Sequence, residues 1–306
     1  MARAVRFDSY GNRDVLYVAD VDVPVPPPGE VVVEVRAAGI NPGEAKIRSG
    51  VNAERFPATF PSGQGSDLAG VVSAVGDGET EFAVGDDVMG WSWRRSSQAE
   101  FVVVPADQLI FKPPRLSWEV AGSLYVVGAT AYAAVRAVGA QSGDTVAVSA
   151  AAGGVGSIVV QLLRLKGANV LAIASERHHD WLASNGALPV PYGDGLADRL
   201  RAAAPDGIDA FIDTFGPEYV DLALELGVPP ERIDTIVGFA KAAEVGAKAE
   251  GSMAGTSREA LAELAELAAS AQLEIPIAAT YPLDEVRAAY AELAQGHTEG
   301  KIVLVP

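Results

Sequence analysis

The most informative pattern of apolar and polar positions along the chain lies between residues 145 and 177. Apolar, β-branched residues fill 145–149, and a second apolar run fills 169–174. Between them, a turn of small residues at 150–156 leads into a helix-like stretch that ends near Lys166. This order predicts a strand, a glycine turn, a helix and a second strand, the βαβ unit of a parallel sheet.

The turn itself reads A-x-G-x-x-G, with Ala151 where the common G-x-G-x-x-G pattern has its first glycine. Gly153 allows the backbone to approach a pyrophosphate, and Gly156 allows the helix to pack closely on the strand. The start of the helix presents free N–H groups and a positive dipole end to phosphates. A tight turn without a ligand is the alternative. We expect nucleotide binding by five residues, Ala152, Gly153, Gly154, Val155 and Gly156.

The end of the second strand bears on the choice of cofactor. An NAD site usually carries Asp or Glu there, whereas this chain has Ser175, followed by Glu176 and Arg177. A serine hydroxyl and a guanidinium suit the 2′-phosphate of NADPH. Glu176 would serve NAD if the turn were shifted by one residue, and a solvated loop without a ligand is the third reading. We favour NADPH.

Along the rest of the chain, the pattern of apolar and polar residues changes twice. Short apolar segments at 30–37, 70–75, 87–91 and 99–104 are separated by Gly, Pro and Asp turns, which predicts a small antiparallel barrel or sandwich. From about residue 117 to 251, strands alternate with helices, and 170–174, 210–213 and 233–237 are predicted to be parallel core strands. Helical patterns at 258–270 and 284–295 precede a closing strand at 301–305.

Composition then narrows the possible chemistry. The net charge of −17 disfavours nucleic acid and anionic membranes as partners. The absence of cysteine excludes disulfides, thiolate nucleophiles and cysteine-ligated zinc, and the three histidines, His178, His179 and His297, lack metal-site spacing. We therefore expect no metal. Because no signal segment is visible at the start of the chain, we also expect a cytoplasmic protein.

Several segments together resemble a known family. They are AGINPGEAKIRSG at 38–50, GSDLAGVV at 65–72, VGDDV at 84–88, the predicted turn GATA at 128–131, the nucleotide turn at 151–156 and GKIVL at 300–304. In this order they resemble the zinc-lacking, quinone-oxidoreductase-like branch of the medium-chain dehydrogenase/reductase superfamily. The likeness spans nearly the whole chain.

The resemblance implies an α/β protein with a GroES-like β-barrel catalytic domain at 1–116 and a Rossmann-fold NADPH-binding domain at 117–252. It also implies that 253–306 returns to the catalytic domain and that the protein forms a homodimer. Asn41 and Ser66 stand where zinc-dependent members have a cysteine and a histidine ligand. Without a Lewis acid, the expected reaction is hydride transfer from NADPH to a quinone. An α,β-unsaturated carbonyl is the alternative acceptor, and a non-catalytic NADPH sensor is the other alternative.

Three residues are implied to be catalytic. Asn41 would donate a hydrogen bond to the acceptor carbonyl, although Asn-Pro is also a common structural turn. Thr130 resembles the threonine beside the nicotinamide, with a backbone-bonded helix hydroxyl as its alternative. Tyr125 would line the acceptor pocket, or it is a buried core residue.

Further cofactor contacts are implied at Tyr192, near the adenosine phosphate, and at Lys301, both of which also have ordinary structural readings. Gly238 and Phe239 follow a predicted strand, at the edge of the sheet where open α/β sheets bind ligands. The proton source stays open, because no tyrosine lies between residues 41 and 55. Lys46 and water are the remaining candidates.

Overall fold

A computed structural model describes residues 1–51, 53–79, 81–296, 298 and 300–306, so His297 lies outside the described residues. The chain divides into two compact units, the first formed by Met1–Val126 with Leu261–Pro306 and the second by Val127–Ala260. Residues 117–126 thus lie in the first unit and 253–260 in the second, and the domain limits expected from the sequence stay a prediction. Within the described residues, no helix combines the length and the apolar character needed to cross a bilayer.

The strands are, in chain order, β1 (Ala2–Phe7), β2 (Tyr17–Val21), β3 (Glu30–Gly39), β4 (Ser62–Gly63), β5 (Asp67–Val75), β6 (Asp87–Trp91), β7 (Phe101–Pro105), β8 (Leu109–Phe111), β9 (Thr145–Val148), β10 (Asn169–Ala174), β11 (Leu188–Pro191), β12 (Ala210–Asp213), β13 (Ile233–Thr235), β14 (Ile277–Pro282) and β15 (Lys301–Val305). The α-helices are α1 (Pro42–Arg48), α2 (Trp118–Ala121), α3 (Leu124–Ala137), α4 (Gly156–Leu165), α5 (His179–Ser184), α6 (Leu196–Ala203), α7 (Glu218–Glu225), α8 (Phe239–Val245), α9 (Ser252–Gly255), α10 (Arg258–Ala269) and α11 (Val286–Leu293).

The second unit is built on a parallel sheet with the strand order β11-β10-β9-β12-β13. Its core contains Leu171, Phe211 and Ile233, from three of these strands. Strands that are covered on both faces read as continuous apolar runs, which is why the sequence revealed them. The predicted Rossmann fold is confirmed.

Strand β13 is shorter than expected. It ends at Thr235 instead of 237, because the Thr235 Oγ1 accepts a hydrogen bond from the Gly238 N–H at 2.9 Å and forms a turn. Its outer side is bonded to the segment at Lys248, whose N–H donates to the Ile233 carbonyl at 2.8 Å. If the homodimer implied by the family resemblance formed by pairing of β13 with the same strand of a second copy, that copy would have to displace this segment.

The first unit contains a larger, mainly antiparallel sheet with the order β14-β15-β3-β5-β6-β8, and β7 also pairs with β3. A smaller sheet has the order β2-β1-β4. The core inside the larger sheet includes Val33, Leu68, Val88 and Leu109. The C-terminal strand β15 pairs with β14 and β3, so the end of the chain is part of this unit.

One local prediction is wrong. Residues 128–131, expected to form a turn, lie inside the helix α3. The apolar and alanine-rich residues around them favour a helix, and the single Gly128 does not break it.

Candidate active site

The glycine turn joins β9 to α4 in the second unit. Ala150 has a left-handed backbone with φ of 44°, a region that residues other than glycine rarely adopt. A Cβ on Gly156 would lie 2.3 Å from the Ala150 carbonyl oxygen, which is closer than atoms can pack. Position 156 therefore accepts only glycine, and it is here that α4 begins.

The turn is anchored to its neighbours while its outer residues stay accessible. The Ala151 N–H donates to the Ile173 carbonyl at 3.0 Å, and the Gly153 N–H donates to the Ala150 carbonyl at 2.9 Å. Ala152 is buried, whereas residues 153–155 are half-buried. The N–H groups of Ser157 and Ile158 already donate to the carbonyls of Gly153 and Val155, so the donors available to an anion at the start of α4 are those of Gly154, Val155 and Gly156, which bond to none of the described residues.

Strand β10 lies next to β9 in the sheet, and β11 lies on the other side of β10. Ala174 is the parallel partner of Pro191, so the two following residues, Ser175 and Tyr192, leave the sheet side by side. Arg177 is exposed, and its Nε donates to the ring of His178 at 2.9 Å. The edge therefore brings together three of the predicted residues, namely a hydroxyl, a phenol and a guanidinium.

A buried carboxylate that the sequence analysis missed organises the same edge. The Asp213 Oδ1 accepts hydrogen bonds from the Ser149 hydroxyl at 2.7 Å and from the N–H groups of Phe215 and Gly216 at 2.9 and 3.1 Å. Its Oδ2 accepts from the Thr235 hydroxyl at 2.6 Å. Asp213 thereby ties the ends of β9, β12 and β13 together. The sign of this carboxylate in the sequence is one acidic residue, Asp213, at the end of an apolar strand.

Two aromatic side chains are exposed at the ends of these strands. Phe239 begins α8 directly after Gly238, and Phe215 follows β12. A Cβ on Gly238 would lie 3.1 Å from the Thr235 hydroxyl oxygen, so a larger residue would press on that turn. The sequence predicted Gly238 and Phe239 at this edge, but it did not single out Phe215.

Asn41 lies in the first unit, between β3 and α1, and is buried. Its Nδ2 donates to the carboxylates of Glu44 and Asp67, both at 3.0 Å. Its Oδ1 accepts from the Lys301 ammonium at 2.5 Å, and the same ammonium donates to the Ile40 carbonyl at 3.0 Å. Both N–H bonds of the Asn41 side-chain amide thus donate to carboxylates of the protein. A ligand oxygen would have to compete with Glu44 or Asp67 for one of them.

Glu44 extends this network into the core. It accepts hydrogen bonds from the Tyr290 hydroxyl at 2.8 Å and from the Ser66 N–H at 2.9 Å. Burial, and next the charge of Asp67, raise the pKa of Glu44. Burial and the adjacent Glu44 also raise the pKa of Tyr290 well above its ordinary value. The sequence analysis missed Glu44 and Tyr290, although the spacing from Asn41 to Glu44 is one helical turn.

The donor set around Asn41 does not suit a zinc ion. Lys301 places a positive charge at the Asn41 amide oxygen, and Ser66 contributes its backbone N–H to Glu44 rather than a nitrogen or sulfur ligand. Among the residues that the structure describes, no group of three or more His, Asp or Glu side chains is placed to hold a metal. A second cation here would face the buried ammonium directly.

Three aromatic rings lie beside the network in the first unit. Tyr125 stacks on Trp91 with a centroid distance of 4.6 Å and an angle of 13°, and Trp93 meets both rings edge-on. Trp91 is the cross-strand partner of Asp67, whose Oδ1 accepts from the Val126 N–H at 2.7 Å. The carboxylate that holds Asn41 therefore also anchors this aromatic cluster.

The other predicted residues are scattered. Thr130 is buried within α3 in the second unit, whereas Tyr125 belongs to the first. Lys301, expected near the cofactor, is buried against Asn41. Lys46 is exposed. The functional roles of these residues stay predictions.

Comparisons with known proteins agree with this organisation. Residues 27–115 match the alcohol dehydrogenase GroES-like domain family, and residues 186–304 match the zinc-binding dehydrogenase family. The chain is 31% identical to the quinone oxidoreductase of Mus musculus over 327 residues, which cover 100% of this chain and 98% of the mouse protein. It is 28% identical to the human mitochondrial NAD(P)H oxidoreductase RTN4IP1, over 97% of this chain and 87% of that protein.

Among solved structures, the CurK enoyl reductase superimposes with a TM-score of 0.86 at 25% identity, and the match covers 99% of each chain. The mouse relative is matched along its length, and the two family matches cover residues 27–115 and 186–304. The chain belongs to the quinone-oxidoreductase-like branch of the medium-chain dehydrogenase/reductase superfamily, as its motifs predict.

Proposed function

We propose that this protein is a zinc-independent, NADPH-dependent quinone oxidoreductase. The observation that carries the proposal is the edge of the parallel sheet, where the glycine turn follows β9, Ser175 and Arg177 follow the adjacent β10, and Tyr192 follows the next strand, β11. The turn and the start of α4 suit a pyrophosphate, and the hydroxyls and guanidinium suit a 2′-phosphate. Its relatives include NAD(P)H and quinone oxidoreductases, which agrees with this proposal.

The bound nicotinamide would supply the hydride, while the protein supplies binding and orientation. In the second unit, Asp213 fixes the ends of β9 and β13, which precede the glycine turn and Gly238. In the first unit, Asn41 is the proposed donor to the acceptor oxygen, with Tyr125 in the acceptor pocket. Thr130 would lie beside the nicotinamide.

Asn41 can take this role only by giving up one of its present bonds. The carboxylates of Glu44 and Asp67 accept its two N–H groups, and a carboxylate holds a donor more strongly when it is charged. Burial and the charge of Asp67 raise the pKa of Glu44, which favours its neutral form. A neutral Glu44 would hold the Asn41 amide less strongly, so the acceptor oxygen would compete better.

An enoyl or alkenal reductase is the second candidate, because an enoyl reductase has the same fold at 25% identity. The deciding experiment is steady-state oxidation of NADPH by a panel of quinones and enones, with NADH as the paired cofactor. Turnover of quinones supports the first proposal. Turnover of enones alone supports the second, and tight NADPH binding without turnover of any acceptor supports a sensor.

The choice of cofactor has its own test. Replacing Arg177 by Ala should raise the KM for NADPH about ten- to a hundredfold, because a hydrogen bond to a charged group contributes about 1.5–3 kcal/mol. The kinetics with NADH should change little. The matched control is Lys166→Ala, which removes one exposed positive charge at the far end of α4. Equal effects of both substitutions, or no effect of either, would place the 2′-phosphate elsewhere.

A further inference from the structure

We propose that Trp93, supported by Trp91 and Tyr125, forms a platform on which the flat ring of an aromatic acceptor stacks. The consequence is a preference for fused-ring quinones over small aliphatic enones. This inference rests on the proposed function and specifies the substrate class.

The three rings differ sharply in exposure. Trp91 and Tyr125 are 4% and 3% exposed, whereas Trp93 is 47% exposed. The ring of Trp93 meets that of Trp91 at 6.5 Å and 75°, and that of Tyr125 at 6.2 Å and 88°. The buried pair therefore supports the Trp93 ring at its side and leaves a large apolar surface accessible. Aromatic rings favour offset-stacked or edge-to-face contacts with other rings, so a flat aromatic ligand suits this surface.

The loop after β6 holds Trp93 in place. The backbone N–H of Trp93 donates to the side-chain oxygen of Gln108 at 3.0 Å. The backbone N–H of Ser92 donates to the Ser66 carbonyl at 2.8 Å. The next residue, Arg94, makes a two-pronged ion pair with Glu30 at 2.5 and 2.7 Å. A ring that is already positioned loses little freedom when a ligand binds.

The platform is attached to the proposed reaction centre through Asp67. This carboxylate accepts a hydrogen bond from Asn41 and another from the Val126 N–H, next to Tyr125. Trp91 is its cross-strand partner. A ring bound on the platform thus contacts a cluster that shares its anchor with the proposed donor to the acceptor oxygen.

The same cluster contains one unpaired polar group. The indole N–H of Trp91 is buried, and none of the described residues provides an acceptor for it. Buried donors without acceptors are uncommon, because each leaves a desolvated polar group unpaired. Because protein atoms cover this donor, the platform would recognise a quinone through its flat ring on the exposed Trp93 and not through the Trp91 N–H.

The experiment compares Trp93→Leu, which removes the ring, with Trp93→Phe, which keeps an aromatic face. Phe111→Leu is the control, since Phe111 is an exposed aromatic residue (52%) outside the cluster. For each protein, kcat/KM is measured with NADPH and either 1,4-naphthoquinone or 2-cyclohexenone. Circular dichroism verifies that each variant is folded.

We expect Trp93→Leu to lower kcat/KM for 1,4-naphthoquinone about tenfold, mainly through KM, which corresponds to about 1.4 kcal/mol. The value for 2-cyclohexenone should stay within about twofold, and Trp93→Phe should retain most of the naphthoquinone activity. Phe111→Leu should change neither. An equal loss for both acceptors, or no loss for naphthoquinone, would overturn the platform while leaving the proposed function standing.

If the unmodified protein reduces no quinone, the proposed function fails and the platform is judged by binding alone. Calorimetric titration with 1,4-naphthoquinone in the absence of cofactor would then show weaker binding by Trp93→Leu. Equal binding by both proteins, or no binding by the unmodified protein, would refute the platform as well.

Discussion

Replacing Asp234 by Asn should stabilise the protein at neutral and alkaline pH. Asp234 lies on β13 and is fully buried. Its Oδ1 accepts from the Glu250 N–H at 2.8 Å, whereas its Oδ2 has no hydrogen-bond partner among the described residues. Burial raises the pKa of Asp234 from 3.8 to about 7. As pH rises, the carboxyl of Asp234 therefore loses its proton in the unfolded chain at a pH about three units lower than in the native protein.

The sign and size of the effect follow from that difference. Between pH 4 and pH 7 the unfolded chain binds fewer protons at this site, so the free energy of unfolding falls as pH rises. At about 1.4 kcal/mol per pH unit, the whole window corresponds to about 4 kcal/mol. An amide has nearly the shape of the protonated acid and cannot ionise. Asp234→Asn should therefore match the original protein near pH 4 and gain up to about 4 kcal/mol by pH 8.

Urea unfolding followed by circular dichroism, repeated from pH 5 to pH 8, measures this difference through the linear dependence of stability on denaturant. The advantage of Asp234→Asn should grow by about 3 kcal/mol over this range. Asp206→Asn, at an exposed turn of the same unit, is the control and should show no such trend. A difference that is independent of pH, or one that shrinks as pH rises, would refute the reasoning.

Three further substitutions probe the turn and the buried network. Gly156→Ala should weaken NADPH binding more than about tenfold in a fluorescence titration, because the added Cβ has no room. The control is Gly251→Ala, where nothing lies within 4 Å of the added Cβ, and this variant should bind NADPH normally. Lys301→Met should lower the free energy of unfolding by about 3–5 kcal/mol, since it leaves buried carboxylates without their cation. Adding Asp67→Asn to Lys301→Met should restore part of the loss, and no recovery in urea unfolding would argue against charge as the cause. Tyr290→Phe should cost about 1–3 kcal/mol in the same assay, because it removes a hydroxyl that donates to a buried glutamate; an unchanged midpoint would contradict this.

Much of the second unit was predictable from its sequence because its strands are buried on both faces. The bounds of β10 and β12 coincide with the predicted 169–174 and 210–213. Prediction failed where a side chain overrides the apolar pattern. Thr235 ends β13 early through its hydroxyl, although Ile236 and Val237 continue the apolar run.

The buried network of the first unit could not be predicted in the same way. Asn41 and Glu44 are one helical turn apart and form a local pair, but Asp67, Tyr290 and Lys301 reach them from distant parts of the chain. Hydrophobic periodicity reports which face of an element is buried, not which polar groups meet there. The resemblance to a family singled out Asn41 and Lys301 for separate roles, whereas their side chains contact each other.

Each unit contains a buried carboxylate that fixes the backbone next to proposed functional residues: Asp67 beside Tyr125, and Asp213 at the strands that precede the glycine turn and Gly238. Asp67 accepts from Asn41 and from the backbone beside Tyr125, while Asp213 accepts from Ser149 and from Thr235. Hydrogen bonds to a charged group in a dry interior are strong, and an unpaired member is costly, so such anchors fix geometry more firmly than neutral contacts do. Changes at these anchors should therefore affect stability and activity together. Trp93 and Arg177 are exposed, and we expect substitutions there to change the preference for acceptor and for cofactor separately.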